Sequence, residues 1–183
     1  MATIDAWLPQ AYQLDKQVLT EIYEALSPAL YRYAYRLLGN PADAEDVVAE
    51  TFHRLLLALR HGHGPRRHLS AYLYRIAHNL ITDRYRRQPP GEFALDEALE
   101  ASADEGPEIS APLHLAQEQA RAALWKLTPD QRLVITLKYL EGLSNEEVAA
   151  ALGKPIGAVK SLQHRALGSL RRSLSLEQIE AWL

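Results

Sequence analysis

The sequence predicts an all-α chain: two small helical modules joined by a flexible acidic linker. Three observations carry that expectation. Apolar residues recur three and four positions apart along almost the whole chain, while alternating strand patterns are nearly absent. Helix-starting and helix-stopping residues fall at helix-length intervals, at Gly39-Asn-Pro41, Thr128-Pro-Asp-Gln131, Ser144-Asn-Glu-Glu147 and Gly153. Charge is segregated, although the 183-residue chain carries a net of only −3. Arg66 to Arg87 holds six arginines and one acid, Asp83, a net of +5. Gly153 to Arg172 holds five basic residues and no acid, again +5. Between them, Gln88 to Pro112 holds seven acids and no base, −7. Local sign matters more for a binding surface than the sum. The expected division is a first module at 1–88, a linker at 89–112 and a second module at 113–183.

A first helix carries Leu30, Ala34, Leu37 and Leu38 on one stripe and stops at Gly39. Asn40 as cap and Pro41 as first helical residue start the second. Its apolar stripe is Ala44, Val47, Val48, Thr51, Phe52, Leu55 and Leu59, and its acids share the other face. The loop from His61 to Pro65 ends it. A third helix, from about Ser70 to Arg87, turns Leu73, Ile76, Ala77, Leu80 and Ile81 inward. It leaves Arg75, His78, Asn79, Thr82 and Arg86 on an outward polar side. Pro89-Pro-Gly91 stops the first module. The acidic stretch beyond it is too poor in large apolar residues for a core, with a short helix conceivable at 92–101. A helix from about Leu113 to Leu127 follows. Thr128 with Gln131 and Ser144 with Glu147 are capping boxes, in which each side chain satisfies the other residue's free backbone donor. The last helix starts at Pro155 or Ile156 and buries Val159, Leu162, Ala166 and Leu170.

Several function classes fall away. The chain has no cysteine, hence no disulfide framework, thiolate metal site or cysteine nucleophile. His53, His61, His63 and His68 cluster around a glycine-rich loop without rigid support for a zinc ion, so no metal or cofactor is expected. No phosphate-cradling loop or nucleophile motif is present, so the chain reads as a non-enzyme. No apolar run reaches membrane-spanning length, and a cytoplasmic location is expected. What remains is a short capped helix, a glycine turn and a basic helix. That is the pattern of a helix-turn-helix, whose second helix enters the major groove.

From about Tyr23 to Leu174 the chain resembles the extracytoplasmic-function class of bacterial sigma factors. The segments are Leu37 to Phe52, Ala71 to Arg87, Leu127 to Arg132, Tyr139 to Ser144, Glu147 to Ala149, Gly157 to Ser161 and His164 to Ala166, in register. Departures are Tyr72, Pro155, Leu162, Gln163 and Leu167 where the family often carries tryptophan, serine, arginine, leucine and arginine. The resemblance implies a transcription initiation factor with core RNA polymerase and promoter DNA as partners, and an anti-sigma factor as a further one. Polymerase docking would fall on Asp43, Glu45, Asp46 and Glu50, an acidic face suited to a basic partner. Minus-ten recognition would fall on Arg66, Arg67 and His68 in the loop, where an extruded base needs a pocket, and on Arg75, Asn79, Asp83, Arg84, Arg86 and Arg87. Minus-thirty-five recognition would fall on Lys154, Lys160, Ser161, His164, Arg165, Arg171 and Arg172. The rival readings are a helix-turn-helix regulator acting on duplex DNA without polymerase, and a helical adaptor for acidic proteins.

Overall fold

The computed structural model describes residues 4–87 and 111–173. The expected linker at 89–112, with its candidate helix at 92–101, lies almost wholly outside the described residues, as do 174–183. Every described regular element is helical. In the first module a short 3-10 turn, Ile4–Trp7, leads into α1, Leu8–Tyr12, followed by α2, Lys16–Leu38, α3, Pro41–Arg60, and α4, Leu69–Arg87. Asp15 opens α2 by accepting from the backbone N–H groups of Gln17 at 2.9 Å and Val18 at 3.1 Å. Ile22, Leu26, Leu30, Tyr33, Ala34 and Leu37 then face the core. Gly39 closes α2 with φ of 75°, a left-handed conformation that glycine adopts without a Cβ clash. Asn40 caps α3 by accepting from Asp43 N–H at 3.0 Å, and the buried set on α3 is the stripe expected from sequence.

The second module runs α5, Ala111–Trp125, α6, Pro129–Ile135, a π-helical turn Thr136–Leu140, α7, Asn145–Leu152, and α8, Ile156–Ser173. Both capping boxes form. Gln131 N–H donates to Thr128 Oγ1 at 3.4 Å and Thr128 N–H to Gln131 Oε1 at 3.1 Å. Ser144 and Glu147 exchange the same bonds at 2.8 and 3.2 Å. The π turn is closed by Glu141 N–H on Thr136 O at 3.1 Å. Gly153 at φ 63° ends α7, and Val159, Leu162, Ala166 and Leu170 bury the inner seam of α8.

The two modules pack together, chiefly through α4 against α6 and α7 and through α2 against α5. Three rings set at i, i+4 and i+11 on α4 meet the second module. Tyr74 donates its hydroxyl to Glu141 Oε2 at 2.5 Å. His78 Nε2 lies 3.0 Å from Pro129 O. Tyr85 stacks on Trp125 with centroids 3.4 Å apart. At the end of α2, Trp125 Nε1 donates to Leu37 O and Arg121 Nε to Arg36 O, both at 3.0 Å. A Cβ on Gly39 would clash with the Arg121 guanidinium, so that turn also needs glycine where α5 packs against it. This corrects one expectation. His78 and Thr82 do not share the outward side of the third helix with Arg75, Asn79 and Arg86; both are buried, His78 against Pro129 O of the second module. Ile76 and Leu80 are only half-buried.

Candidate nucleic-acid interface

On α8 the buried seam leaves the opposite side free. Lys160, Ser161, His164, Arg165, Arg171 and Arg172 are all exposed. They sit between 100° and 240° around the helix from Val159 if each residue turns it about 100°. Ser161 donates its hydroxyl back to Gly157 O at 3.1 Å, and Arg165 Nε donates to Ser161 O at 3.3 Å, so both lie along the helix surface. Gln163 Nε2 donates to Asn145 Oδ1 at 3.0 Å and ties α8 to the helix before it. Lys154, in the turn between them, is exposed and pairs with Asp130 at 3.2 Å. Such a face presents cations for phosphates and hydroxyl, imidazole and guanidinium groups for base edges.

On α4 the exposed stripe is Arg75, Asn79, Asp83 and Arg86, with Arg87 beside it. Arg84 stands apart. It is half-buried and turned onto α3, where it pairs with Asp43 and, at 3.5 Å, with Asp46. The loop before α4 exposes Arg66 and Arg67 and buries Pro65. His68 is half-buried at φ 57°, and its N–H and that of Leu69 donate to the Asp5 carboxylate at 2.7 and 2.9 Å.

The acidic face of α3 is only partly uncompensated. Arg54 donates to Glu50 at 2.7 Å and, with His53 at 3.5 Å, lowers the Glu50 carboxyl below its ordinary range. Asp43 is occupied by Arg84, whereas Glu45 and Asp46 are exposed. Among the described residues no group of three or more His, Cys, Asp or Glu could hold a metal ion, and no helix is long and apolar enough to cross a membrane.

Residues 22–89 match Sigma-70 region 2, and residues 117–170 match Sigma-70 region 4. The ECF RNA polymerase sigma factor SigW of Bacillus subtilis is 31% identical over 180 residues, 91% of this chain and 94% of that protein. The chain belongs to the extracytoplasmic-function sigma factors. The sigma-E factor of Streptomyces avermitilis is 35% identical over 84% of this chain and 83% of its own length. The sigma factor BldN of Streptomyces coelicolor is 36% identical over 84% of this chain, which spans only 59% of that longer relative. CnrH, solved with the cytosolic domain of CnrY, superposes with a TM-score of 0.69 at 26% identity, covering 92% of this chain and 94% of that one.

In this sigma factor the two basic faces thus belong to regions 2 and 4, and both remain exposed while the modules are packed together. Three structural anchors behind these faces escape sequence reasoning. Asp5 anchors the region 2 loop from outside the matched segment. The Glu141 side chain is largely covered between Tyr74 and Arg36, the latter 3.6 Å away and too long for a hydrogen bond. Arg132 is buried, with Nε on Leu124 O at 3.1 Å and its guanidinium 3.6 Å over the Trp125 ring; burial lowers its pKa to about 10. An arginine in the last turn of α6 looks like a surface charge in sequence, and only the tertiary stack reveals it as an anchor.

Proposed function

We propose that this sigma factor binds core RNA polymerase through α3, reads the minus-ten element with α4 and its preceding loop, and reads the minus-thirty-five element with α8. The observation that carries the proposal is the outer face of α8: six exposed basic or polar side chains, opposite a fully apolar seam, in a helix without an acid. On it, Lys160, Ser161, His164 and Arg165 take the base edges, and Arg171, Arg172 and Lys154 the phosphates. On the first module, Arg75, Asn79, Asp83, Arg86 and Arg87 line single-stranded promoter DNA, with Arg66, Arg67 and His68 around an extruded base. Docking falls on Glu45 and Asp46, the exposed acids, with Asp43 and Glu50 flanking them; Arg84 holds Asp43 in place more than it faces DNA. The division is 1–88, 89–112 and 113–183, with the linker as a tether.

The protein acts in the cytoplasm without catalysing a reaction of its own; the chemistry is the polymerase's. The packed pair of modules, and the likeness to CnrH, which was solved in complex with the cytosolic domain of CnrY, support a protein partner of the anti-sigma kind as a further one. Run-off transcription with core polymerase tests the whole reading. Promoters mutated separately in each element should each lose initiation. Alanine at Lys160, Ser161, His164 or Arg165 should relax preference at one upstream position, and at Arg171 or Arg172 should weaken all promoters alike. Initiation that ignores both elements would overturn the proposal, as would a chain that binds duplex promoter DNA but does not bind core polymerase.

A further inference from the structure

Arg84 joins two faces that are otherwise separate. It stands in the last turn of α4, the helix proposed to read the minus-ten element, yet its guanidinium is turned onto the start of α3. There Nη2 pairs with the Asp43 carboxylate, and Nη1 stands 3.5 Å from Asp46 Oδ2. Both acids belong to the proposed docking face. Arg86 and Arg87, on the same turn of α4, are exposed instead.

The fold does not depend on this pair. Asn40 already caps α3, and its apolar stripe already holds it against the core. Asp43 in the first turn of one helix and Arg84 in the last turn of another are each favoured by the helix dipole alone. Nor is the cluster sealed from water, for the Arg84 side chain is 36% exposed and that of Asp46 71%. Ion pairs this open contribute little and exchange partners readily, because water or a second cation can take either carboxylate. Of the four docking acids, Asp43 and Asp46 thus share Arg84, and Glu50 holds Arg54. A basic partner arriving on α3 has to displace Arg84 from the first two. Three residues along α4 from the displaced guanidinium is Arg87, a neighbour on the helix surface. A phosphate is the group that satisfies two adjacent guanidiniums.

We propose that Arg84 couples docking to promoter reading: in the free chain it competes with the polymerase for Asp43 and Asp46, and once displaced it holds a promoter phosphate beside Arg87. This rests on the docking reading of α3. A static clasp, in which Arg84 only keeps Asp43 in position, predicts the opposite sign for one measurement. Loss of Arg84 would then weaken core binding.

The test titrates the full chain with core polymerase. Arg84→Gln removes the charge and keeps much of the side chain. It should bind core roughly fivefold tighter at low salt, the factor for one exposed ion pair that no longer has to break on docking. Removing any cation near a basic partner also helps a little, so the same substitution is made in a chain carrying Asp43→Asn and Asp46→Asn. There the gain should vanish, since no acid is left to compete for. In complex with core, Arg84→Gln should bind a single-stranded minus-ten oligonucleotide less tightly, with a salt slope shallower by about 0.7, the share of one phosphate. The free chain should lose less. Unchanged or weaker core binding by Arg84→Gln would overturn the inference, as would a gain that persists without the two acids, or an equal loss of DNA binding with and without polymerase. Should Arg84→Gln fold poorly, Arg84→Lys decides: a point charge cannot span both acids, so core binding should shift the same way by a smaller factor, and no shift counts against the coupling. An Asp46→Lys chain that binds core as well as the wild type would instead remove the docking reading itself.

Discussion

His78 shows how one buried side chain can tie a fold to pH. Pro129 O can only accept, so His78 Nε2 carries the proton and donates to it, leaving Nδ1 to accept from the Tyr33 hydroxyl at 2.7 Å. The neutral ring is satisfied at both nitrogens. Protonation would put a second hydrogen against the Tyr33 oxygen and a cation near Arg132, and burial first, with Arg132 second, lowers its pKa to about 4. The folded chain therefore binds a proton less readily than the unfolded chain, whose histidine titrates near 6.5. Stability from this site is complete above about pH 6.5 and is lost as pH falls towards 4, by on the order of 3 kcal/mol. Urea midpoints measured from pH 7 to pH 4.5 should fall steeply in the wild type and less in His78→Gln. Parallel curves would mean that carboxylates elsewhere, not this imidazole, govern the acid limb.

Among the elements, the short helix α7 depends most on its ends. It has eight residues, too few to persist without help, and Ser144 with Glu147 satisfies two of its free donors while Gly153 closes the other end. Ser144→Ala should cost about 1 kcal/mol and, by loosening the helix that supports α8, weaken binding to an isolated minus-thirty-five duplex; Ser144→Asp should retain both. On α3, Asp46→Lys should weaken core-polymerase binding in a pull-down while helicity stays constant. Undiminished capture would move docking off this face. These ends and faces are legible in the sequence because their causes lie within one or two turns: Asn40 bonds a residue three away, Thr128 likewise, and the α3 stripe is pure periodicity. What sequence leaves hidden is long-range. Nothing near Asp5 announces a bond to His68, and nothing near Tyr74 announces Glu141. His78 has a polar side chain at the right spacing for an outer face, and only the arrival of a second module makes that position an interior.

For the whole molecule, closure and promoter reading conflict by distance. Elements centred near minus ten and minus thirty-five lie about 25 base pairs apart, roughly 85 Å of B-form DNA, whereas the longest helix here, α2, measures only about 35 Å. In the packed form Arg75 on the first reading helix reaches to within 3.9 Å of where a Cβ on Gly153 would stand, at the turn into the second. Each reading face is exposed, yet under the proposed assignment the two cannot sit on their elements together, so that assignment requires the contact between α4 and the second module to break on a complete promoter. Glu141 is the place to lower that cost. Its side chain is only 8% exposed, with Tyr74 and Arg36 from the first module as partners, and Glu141→Ala removes both interactions at once. The variant should favour the open form by roughly tenfold, from about 1 to 2 kcal/mol of lost contact. Because the chain has no cysteine, single labels placed on α3 and α8 can report the distance by energy transfer. The variant should show a larger open fraction and faster open-complex formation with core polymerase on full promoters. Binding to an isolated minus-thirty-five duplex should not change, since α8 is already exposed in the closed form. An equal gain on both templates would mean that closure hides the α8 face instead of holding the two faces too close together.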